Sequence, residues 1–281
     1  MDTLAAMTLS VARAFGKPAF WRGLISIPTF LILWEIGARS QALFGFAFPW
    51  VSNVPAPSAV AVEMWRLLQD PSFWHSAYLS TMRVFEGFIA AMVVGIPLGL
   101  TMAVSRTFYG ITFPVFEVLR PIPPLAWVPA AIIFWPTQEM SIAFVTFLGA
   151  FFTIVINVIG GAQAIDVRYF QAARSMGSST WDIFRRIILP GTLPSIVVGA
   201  TVGMGITWAV VVAAEMISGG GSAGSMGGAG GGLGFFIWNS YVGGSYTQIV
   251  VGMISIGIAG YISSALLRKI GAMITPWLSD A

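Results

Sequence analysis

The sequence predicts an all-α, polytopic integral membrane protein of about six transmembrane helices, and three observations support this fold class. Hydrophobic residues make up 57% of the 281-residue chain, and charged residues make up only 9%. A soluble domain carries about 25% charged residues to cover its wetted surface. Residues 87–104, 140–165 and 187–214 contain no charge, and a helix needs roughly 20 such residues to span the bilayer. These spans must be helical, because the alternation typical of barrel strands is missing.

The predicted elements follow one another along the chain in a simple order. A lead at residues 1–20 precedes a first, uncleaved span at 21–38, and an outer segment at 39–84 holds a short helix at 59–68 that Ser58 is expected to cap. The other spans are expected at residues 85–104, 109–135, 140–160, 193–217 and 249–267. A core at 85–270 thus contains a polar loop at 161–190 and a glycine-rich stretch at 219–234, and a tail follows at 271–281.

The distribution of basic residues predicts the orientation of these spans. Lys and Arg concentrate on the side that faces the cytoplasm. With the N-terminus inside, the inner segments contain Arg13, Lys17, Arg22, Arg106, Arg168, Arg174, Arg185, Arg186, Arg268 and Lys269. The outer segments contain Arg39, Arg66 and Arg83. The sequence therefore predicts cytoplasmic termini and a cytoplasmic 161–190 loop, in the inner (plasma) membrane.

Several kinds of chemistry are excluded by the residues that the chain lacks. There is no cysteine and only one histidine, so Cys-ligated metals and clustered catalytic side chains are not expected. The phosphate-binding pattern GxxxxGK[ST] is absent, which predicts that the chain itself binds no ATP and no other cofactor. The basic residues flank apolar spans, so the pI of 9.5 reflects membrane topology and not nucleic-acid binding.

The loop at 161–190 contains a segment with strong local structure signals. Gly177 permits a positive φ between two short helices. Ser179 and Asp182 have capping-box spacing at the start of the second helix, and Pro190 is expected to limit that helix. A plain connection between two spans would need neither two helices nor the apolar edge formed by Met176, Trp181, Ile183 and Phe184. The pattern therefore predicts a rigid helix–turn–helix on the cytoplasmic face.

This segment resembles the EAA loop of binding-protein-dependent ABC permeases, written EAA-x3-G-x9-I-x-L-P. The matching residues are Ala172, Ala173, Gly177, Ile187, Leu189 and Pro190, whereas Gln171 replaces the glutamate. The resemblance implies a type I (MetI-like) importer permease fold and a loop that couples to an ATPase. It implies coupling contacts from this stretch, which also includes Arg174, Ser178 and Trp181.

The resemblance also implies the partners and the substrate class. Two permease copies would form the pore, two ATP-binding subunits would hold ATP and Mg, and a periplasmic or lipid-anchored binding protein would deliver the solute. The segments 119–129, 214–216 and 234–239 are similar to the nitrate, bicarbonate, sulfonate and taurine branch, and most similar to its cyanobacterial nitrate and bicarbonate members. A small anion is therefore expected, with nitrate or nitrite first, bicarbonate second and an organosulfonate third.

Two other classes of function compete with this interpretation. A self-contained secondary transporter or channel would leave the 171–190 segment without a role, and neither suitable coupling residues nor an inverted repeat is evident. A membrane enzyme would need clustered acids or histidines within the spans.

Charged and polar residues within the spans are candidates for the translocation path, because such residues are costly in lipid. Glu117 and Arg120 share a helix face at i and i+3, so they form either an ion pair or an anion-attracting site. The prolines at 121, 123, 124 and 129 should break that helix. Glu215 is expected to be structural or to gate the path. Thr207 and Trp208 either line the path or form hydrogen bonds between helices.

Overall fold

The computed structural model describes residues 18–46, 49, 51–219 and 231–278. Within these ranges the regular structure is helical and contains no strand. The lead at residues 1–17, most of the glycine-rich stretch (220–230) and the last tail residues (279–281) lie outside the described residues. The α helices are α1 Pro18–Ala38, α2 Ser40–Phe44, α3 Pro57–Leu67, α4 Pro71–Val104, α5 Arg106–Leu119, α6 Val128–Phe134, α7 Gln138–Gln163, α8 Val167–Ser175, α9 Thr180–Ile183, α10 Leu189–Gly219, α11 Leu233–Val242 and α12 Tyr246–Ile274.

Four of the described helices are long and apolar enough to cross a membrane. These are α4, α7, α12 and the continuous helical stretch Thr180–Ile217. The pair Arg106–Leu119 and Pro124–Phe134 also passes together, but it bends by 87° at its break. Helix α1 has 21 residues, of which Ile25–Ala38 form a shorter apolar helix. Five of the six predicted spans thus have counterparts among these helices, and the third, expected at 109–135, is broken after residue 119. The first, expected at 21–38, lies in α1, whose apolar part is shorter.

The helix that contains the second span begins much earlier than the sequence predicted for the span. Helix α4 starts at Pro71 instead of residue 85. Asp70 caps it by accepting a hydrogen bond from Ser72 N, and Pro71 suits the first helical turn because it has no N–H to leave unpaired. Residues 71–84, predicted as part of an outer segment, therefore belong to the same helix as the second span, and Arg83 is one of them.

The chain divides into two compact units. The smaller comprises residues 1–69 and 244–251, and the larger comprises residues 70–243 and 252–281. In the larger unit, α7 packs along both α4 and α10. Small residues permit these close approaches: Gly95 and Gly99 face Val155 and Val158 of α7, and Gly199 and Gly203 face its Asn157 and Ala150. Both glycine pairs are therefore packing sites within one chain, as the sequence suggested.

An aromatic cluster fixes α5 against α4 and α7 in the larger unit. Its buried centre comprises Met102, Phe116, Val155 and Ile159. Phe116 contacts the rings of Phe151 and Phe152 at centroid distances of 6.3 and 5.3 Å. Aromatic pairs at such separations add to the stability gained from burial alone. This packing determines where the broken third span begins.

The smaller unit contains a correction to the predicted cap of the 59–68 helix. The helix starts at Pro57, and its N-cap residue, Ala56, makes no side-chain cap. Ser58 instead contacts Glu35 of α1, because its backbone N–H and its hydroxyl both donate to the Glu35 carboxylate, at 3.0 and 2.9 Å. A carboxylate is favoured at a helix N-terminus, where backbone N–H groups lack partners. Glu35 therefore supplies the anionic cap that the helix itself lacks.

Pro190 does not end the second helix of the loop, contrary to the sequence prediction. Residues Phe184–Ile188 form a π-helical turn that joins α9 to α10 without interruption. Leu189, which precedes the proline, keeps an α conformation with φ −60° and ψ −51°. In a π turn each backbone hydrogen bond joins residues five positions apart instead of four, which widens the helix locally. We attribute the continuity of the helix to this wider turn, because it accommodates a proline, which has no N–H.

Candidate functional site

The helix pair α8–α9 has a rigid turn that the hydrogen bonds explain. Gly177 adopts φ +77°. Its N–H donates to Arg174 O, and the next N–H, of Ser178, donates to Ala173 O, both at 3.0 Å. These two bonds form a Schellman motif, which ends a helix at a left-handed residue. The predicted positive φ at Gly177 is confirmed.

Both helices of this pair also have defined N-termini. Ser179 and Asp182 form the predicted capping box, with Ser179 Oγ accepting from Asp182 N and the Asp182 carboxylate accepting from Ser179 N. Asp166 caps α8 by accepting from Arg168 N at 2.9 Å. Hydrogen bonds from the Arg168 side chain and backbone lower the pKa of Asp166 below its usual value of about 3.8. The caps and the Schellman turn together fix the geometry of the pair.

The helix pair exposes large apolar side chains. Ala173 and Ile183 are buried, whereas Met176 and Trp181 are 78% and 66% exposed. Gln171, Ala172 and Arg174 are exposed as well, Ser178, Ile187, Leu189 and Pro190 are half-buried, and the Trp181 ring stacks on Phe184 at 5.5 Å. Large apolar side chains exposed at a water-facing turn mark an interaction surface.

The broken third span places Arg120 beside a cavity. Helix α5 ends at Leu119, a 3₁₀ turn follows at Pro124–Trp127, and α6 starts at Val128. Arg120 is exposed and lines a cavity of about 360 Å³, which Gly149 and Thr153 of α7 and Ile206 of α10 also line. The indole Nε1 of Trp127 is buried and has no hydrogen-bond partner among the described residues.

Glu117 and Arg120 do not form the ion pair that the sequence left open. Both side chains are exposed, and the salt bridges between described residues do not include either of them. The backbone stays helical through Arg120, whose N–H donates to Phe116 O, so the two side chains remain unpaired although their i, i+3 spacing is retained. The positive charge of Arg120 is therefore not neutralised by Glu117.

Three other path candidates lie inside the helical core of the larger unit. Thr207 is fully buried, and its hydroxyl donates to Gly203 O of its own helix. Trp208 is 3% exposed, and its Nε1 donates to Ser263 Oγ of α12 at 3.3 Å. This Trp208–Ser263 contact is a hydrogen bond between helices, which the sequence left open as the alternative to a place in the lining of the translocation path. Glu215 is also buried, with 2% exposed.

The carboxylate of Glu215 is the centre of a buried polar network. Arg83 Nη1 and Ser80 Oγ both donate to it at 2.8 Å, and Gly234 N donates at 2.9 Å. Arg83 also donates to Gly231 O and pairs with Glu139. The network therefore connects α4, α7 and α10 to the start of α11.

Sequence reasoning missed Arg83 and Ser80 as partners of Glu215, and Glu139 as the second partner of Arg83. A signal was present, because a carboxylate in an otherwise apolar span requires a cation or several donors. Arg83 stands next to the uncharged stretch 87–104, and treating it as a flanking residue hid its role. Its distance of 132 positions from Glu215 leaves no spacing rule that joins them.

Comparisons with known proteins place this chain in a family. Residues 95–280 match the family model of the binding-protein-dependent transport system inner membrane component, and the chain belongs to that family. It is thus a multi-pass membrane permease subunit of an ABC transporter, a transport component and not an enzyme.

Relatives identify the branch of the family. The chain is 32% identical over 269 residues to a nitrate import permease protein, NrtB, of Synechocystis, covering 92% of this chain and 91% of the relative. It is 29% identical to the bicarbonate transport system permease protein CmpB of Synechococcus elongatus (91% and 88% covered). It is 31% identical to the taurine transport system permease protein TauC of Escherichia coli (74% and 72% covered). These relatives belong to the nitrate, bicarbonate, sulfonate and taurine branch that the sequence motifs indicated.

A solved structure shows the same fold. A chain of the MetNI methionine ABC transporter in an inward-facing conformation matches with a TM-score of 0.59 and 21% identity, covering 76% of this chain and 98% of that chain. The predicted MetI-like, all-α architecture is therefore confirmed.

Proposed function

We propose that this chain is the membrane-spanning subunit of an ATP-driven importer for a small anion, with nitrate or nitrite as the first choice. The alignments with two nitrate import permeases include most of this chain and most of each relative. Bicarbonate is the second candidate. The alignment with the bicarbonate permease includes nearly as much of this chain as the alignment with the nitrate permease, and its identity is slightly lower. An organosulfonate is third, from the similarity to the taurine permease.

The helix pair α8–α9 is the observation that carries the ATP-driven part of this proposal. Its Schellman turn and capping box make it rigid, and it exposes Met176 and Trp181. A rigid element with an apolar edge is suited to dock on a moving ATPase subunit and to transmit its displacement. ATP and Mg would then act on the partner subunits, with no catalytic residue in this chain. A secondary transporter or channel would give this pair no task.

The anion path is proposed to pass Arg120 at the break of the third span. Its guanidinium lines a cavity and is not paired with Glu117. Broken membrane helices supply free backbone groups and fixed charge at substrate sites. Glu215, Thr207 and Trp208 are proposed to support the core around the path, because their polar atoms are occupied within the chain.

The assembly follows from the same proposal. Two copies of the chain would form the pore, two ATP-binding subunits would dock on the two helix pairs, and a periplasmic or lipid-anchored binding protein would deliver the anion. Both termini and the helix pair would face the cytoplasm. The excess of basic residues on that side supports this orientation.

The test is reconstitution of the permease with its ATPase and binding protein in liposomes. We expect the ATPase to co-purify in mild detergent, and we expect uptake of labelled nitrate to require ATP inside the vesicles. Uptake of bicarbonate and of taurine, each measured separately with the binding protein present, ranks the three substrates. Uptake that persists without ATP, or an absent ATPase partner, would overturn the importer assignment. Taurine or bicarbonate uptake without nitrate uptake would overturn only the choice of anion.

A further inference from the structure

Two neighbouring cavities lie between the end of α4 and the helical segment 180–188. The first has a volume of about 580 Å³ and is lined by Arg106, Arg174, Ser178 and Thr180 among others. The second, of about 430 Å³, is lined mainly by apolar groups, including Pro97, Leu100, Trp181 and Phe184. Val104 lines both cavities. A basic, polar space therefore adjoins an apolar groove.

Among the residues that the structure describes, no ion pair compensates the charge in the first cavity. The described salt bridges use Arg39, Arg66, Arg83, Arg168 and Arg186. Arg106 and Arg174 are absent from them, although the structure describes both residues, and no Asp or Glu lines either cavity. Two guanidinium groups with hydroxyls beside them form a site suited to a phosphate group.

The position of the groove indicates what carries the phosphate. Helix α4 is long and apolar enough to cross a membrane. Val104 at its end is 45% exposed, and Val93 and Val94, about three turns earlier, are 66% and 51% exposed. The groove thus opens beside an apolar helix surface, at the end of the span where the arginines begin. A free phosphate would fill only the basic cavity, whereas a phospholipid would place its headgroup there and an acyl chain in the groove. Basic pockets between helices at the membrane surface are typical of anionic lipid sites.

We propose that these two cavities form a binding site for one anionic phospholipid. Arg106 and Arg174 hold the phosphate, and the groove formed by Pro97, Leu100, Trp181 and Phe184 holds the start of an acyl chain. The lipid thereby contacts both the end of α4 and the α9 end of the helix pair. This site goes beyond the proposed transport function and does not depend on which solute is carried.

The test measures lipid binding to the purified complex of permease and ATPase by native mass spectrometry. Phosphatidylglycerol and phosphatidylcholine with identical acyl chains are titrated separately. We expect wild type to bind phosphatidylglycerol preferentially. Each surface arginine contributes about fivefold to such binding, so Arg106→Ala/Arg174→Ala should weaken it roughly 25-fold. Arg106→Lys/Arg174→Lys, which retains both charges and guards against a folding defect, should keep most of the binding.

Two further variants separate a lipid from other occupants. Arg168→Ala/Arg268→Ala removes two positive charges elsewhere and should leave the preference unchanged. Thr101→Trp fills the groove without changing charge and should weaken phosphatidylglycerol binding. Equal binding of the two lipids by wild type overturns the proposal, as does an unaffected double alanine variant. Unchanged lipid binding in Thr101→Trp overturns the acyl groove and leaves a phosphate site only. Loss of the ATPase from Arg106→Ala/Arg174→Ala without loss of lipid would assign the arginines to the ATPase interface instead.

Discussion

Arg83 Nη1 lies 2.8 Å from Glu215 Oε1, and 3% and 0% of their side-chain surfaces are exposed. The same carboxylate accepts from Gly234 N near the start of α11, where helix geometry favours an anion. Ser80 Oγ completes the connection by accepting from Leu233 N at 2.8 Å. The pair therefore does more than neutralise two buried charges, because it fixes where the chain returns after the glycine-rich stretch.

The three members of this ion cluster should differ in their importance. Arg83→Met leaves the buried Glu215 charge without a cation, which should destabilise the subunit by about 3–5 kcal/mol. Glu215→Gln should cost less, since Arg83 retains Glu139 and an amide still accepts hydrogen bonds. Glu139→Gln should cost least, because this side chain is 49% exposed. Thermal unfolding in detergent measures the order, and the double variant Arg83→Met/Glu215→Gln should recover part of the loss. Equal effects of the three single variants would contradict the role of burial.

Replacing Gly177 tests the rigidity of the helix pair. No atom lies within 4 Å of an added Cβ at this position, so Gly177→Val strains only the backbone, whose φ is +77°. A left-handed conformation costs a non-glycine residue about 1–2 kcal/mol. We expect ATP hydrolysis to continue while uptake per ATP falls. Gly177→Asn is the matched control, since asparagine tolerates this region, and it should remain coupled. Normal coupling in Gly177→Val would refute the mechanical role of the turn.

The helix pair could be predicted because its signals are local. Capping-box spacing and a glycine at the turn act within a few residues, and the long apolar stretches predict spans by the same short-range reasoning. The role of Arg83 could not be predicted, because its partners Glu139 and Glu215 come from helices distant in the sequence. Similarly, Pro190 was predicted to end a helix by a rule about adjacent residues, but a π turn upstream accommodates it.

The extent of α4 and the pairing of Glu117 show a second limit. Hydropathy gave the apolar part of the second span but not its polar start at Pro71, where Asp70 and Pro71 define the boundary. The i, i+3 spacing of Glu117 and Arg120 offered an ion pair, and the backbone stays helical through Arg120, but spacing alone does not determine whether two exposed side chains meet. The bend itself was predictable from the prolines that follow Arg120, but its angle of 87° depends on packing against α7.

Two adjacent glycines of α7 should respond in opposite ways to the same substitution. A Cβ at Gly161 would overlap Ser195 of α10, whereas a Cβ at Gly160 meets no atom within 4 Å. Alanine improves helix propensity by about 1 kcal/mol at either position, so Gly160→Ala should be neutral or slightly stabilising. Gly161→Ala should lower the unfolding temperature, because it forces α7 and α10 apart. Similar unfolding temperatures for both variants would show that the close approach is not required.

Glu63 gives the smaller unit a predictable pH dependence. Hydrogen bonds from Arg66, and then from Gln248, lower the pKa of Glu63 below its usual 4.5. Since the folded pKa is lowered, the stabilisation is present above pH 4.5 and is lost as the pH falls through the folded value. Arg66 is 65% exposed and Glu63 is 19% exposed, and because solvent screens the pair from the Arg66 side we expect at most about 0.5 kcal/mol. Thermal unfolding of wild type and Glu63→Gln should differ at pH 7, and the difference should shrink as the pH is lowered from 4.5 through the folded pKa. A constant difference over this range would contradict the prediction.

Arg120 provides the sharpest test of the proposed path. Its guanidinium lines the cavity between α7 and α10 and is exposed, so removing it should change neither packing nor assembly. Arg120→Ala should lower nitrate uptake in the reconstituted importer by about tenfold or more, since a charge-assisted contact to an anion contributes roughly 1.5–3 kcal/mol. ATPase co-purification should be unchanged. Arg120→Lys retains the charge and should restore part of the uptake, and Glu117→Gln is the control on the same helix that should leave it intact. Full uptake by Arg120→Ala would remove Arg120 from the path, whereas loss of uptake in Glu117→Gln would show that both charges act on the anion.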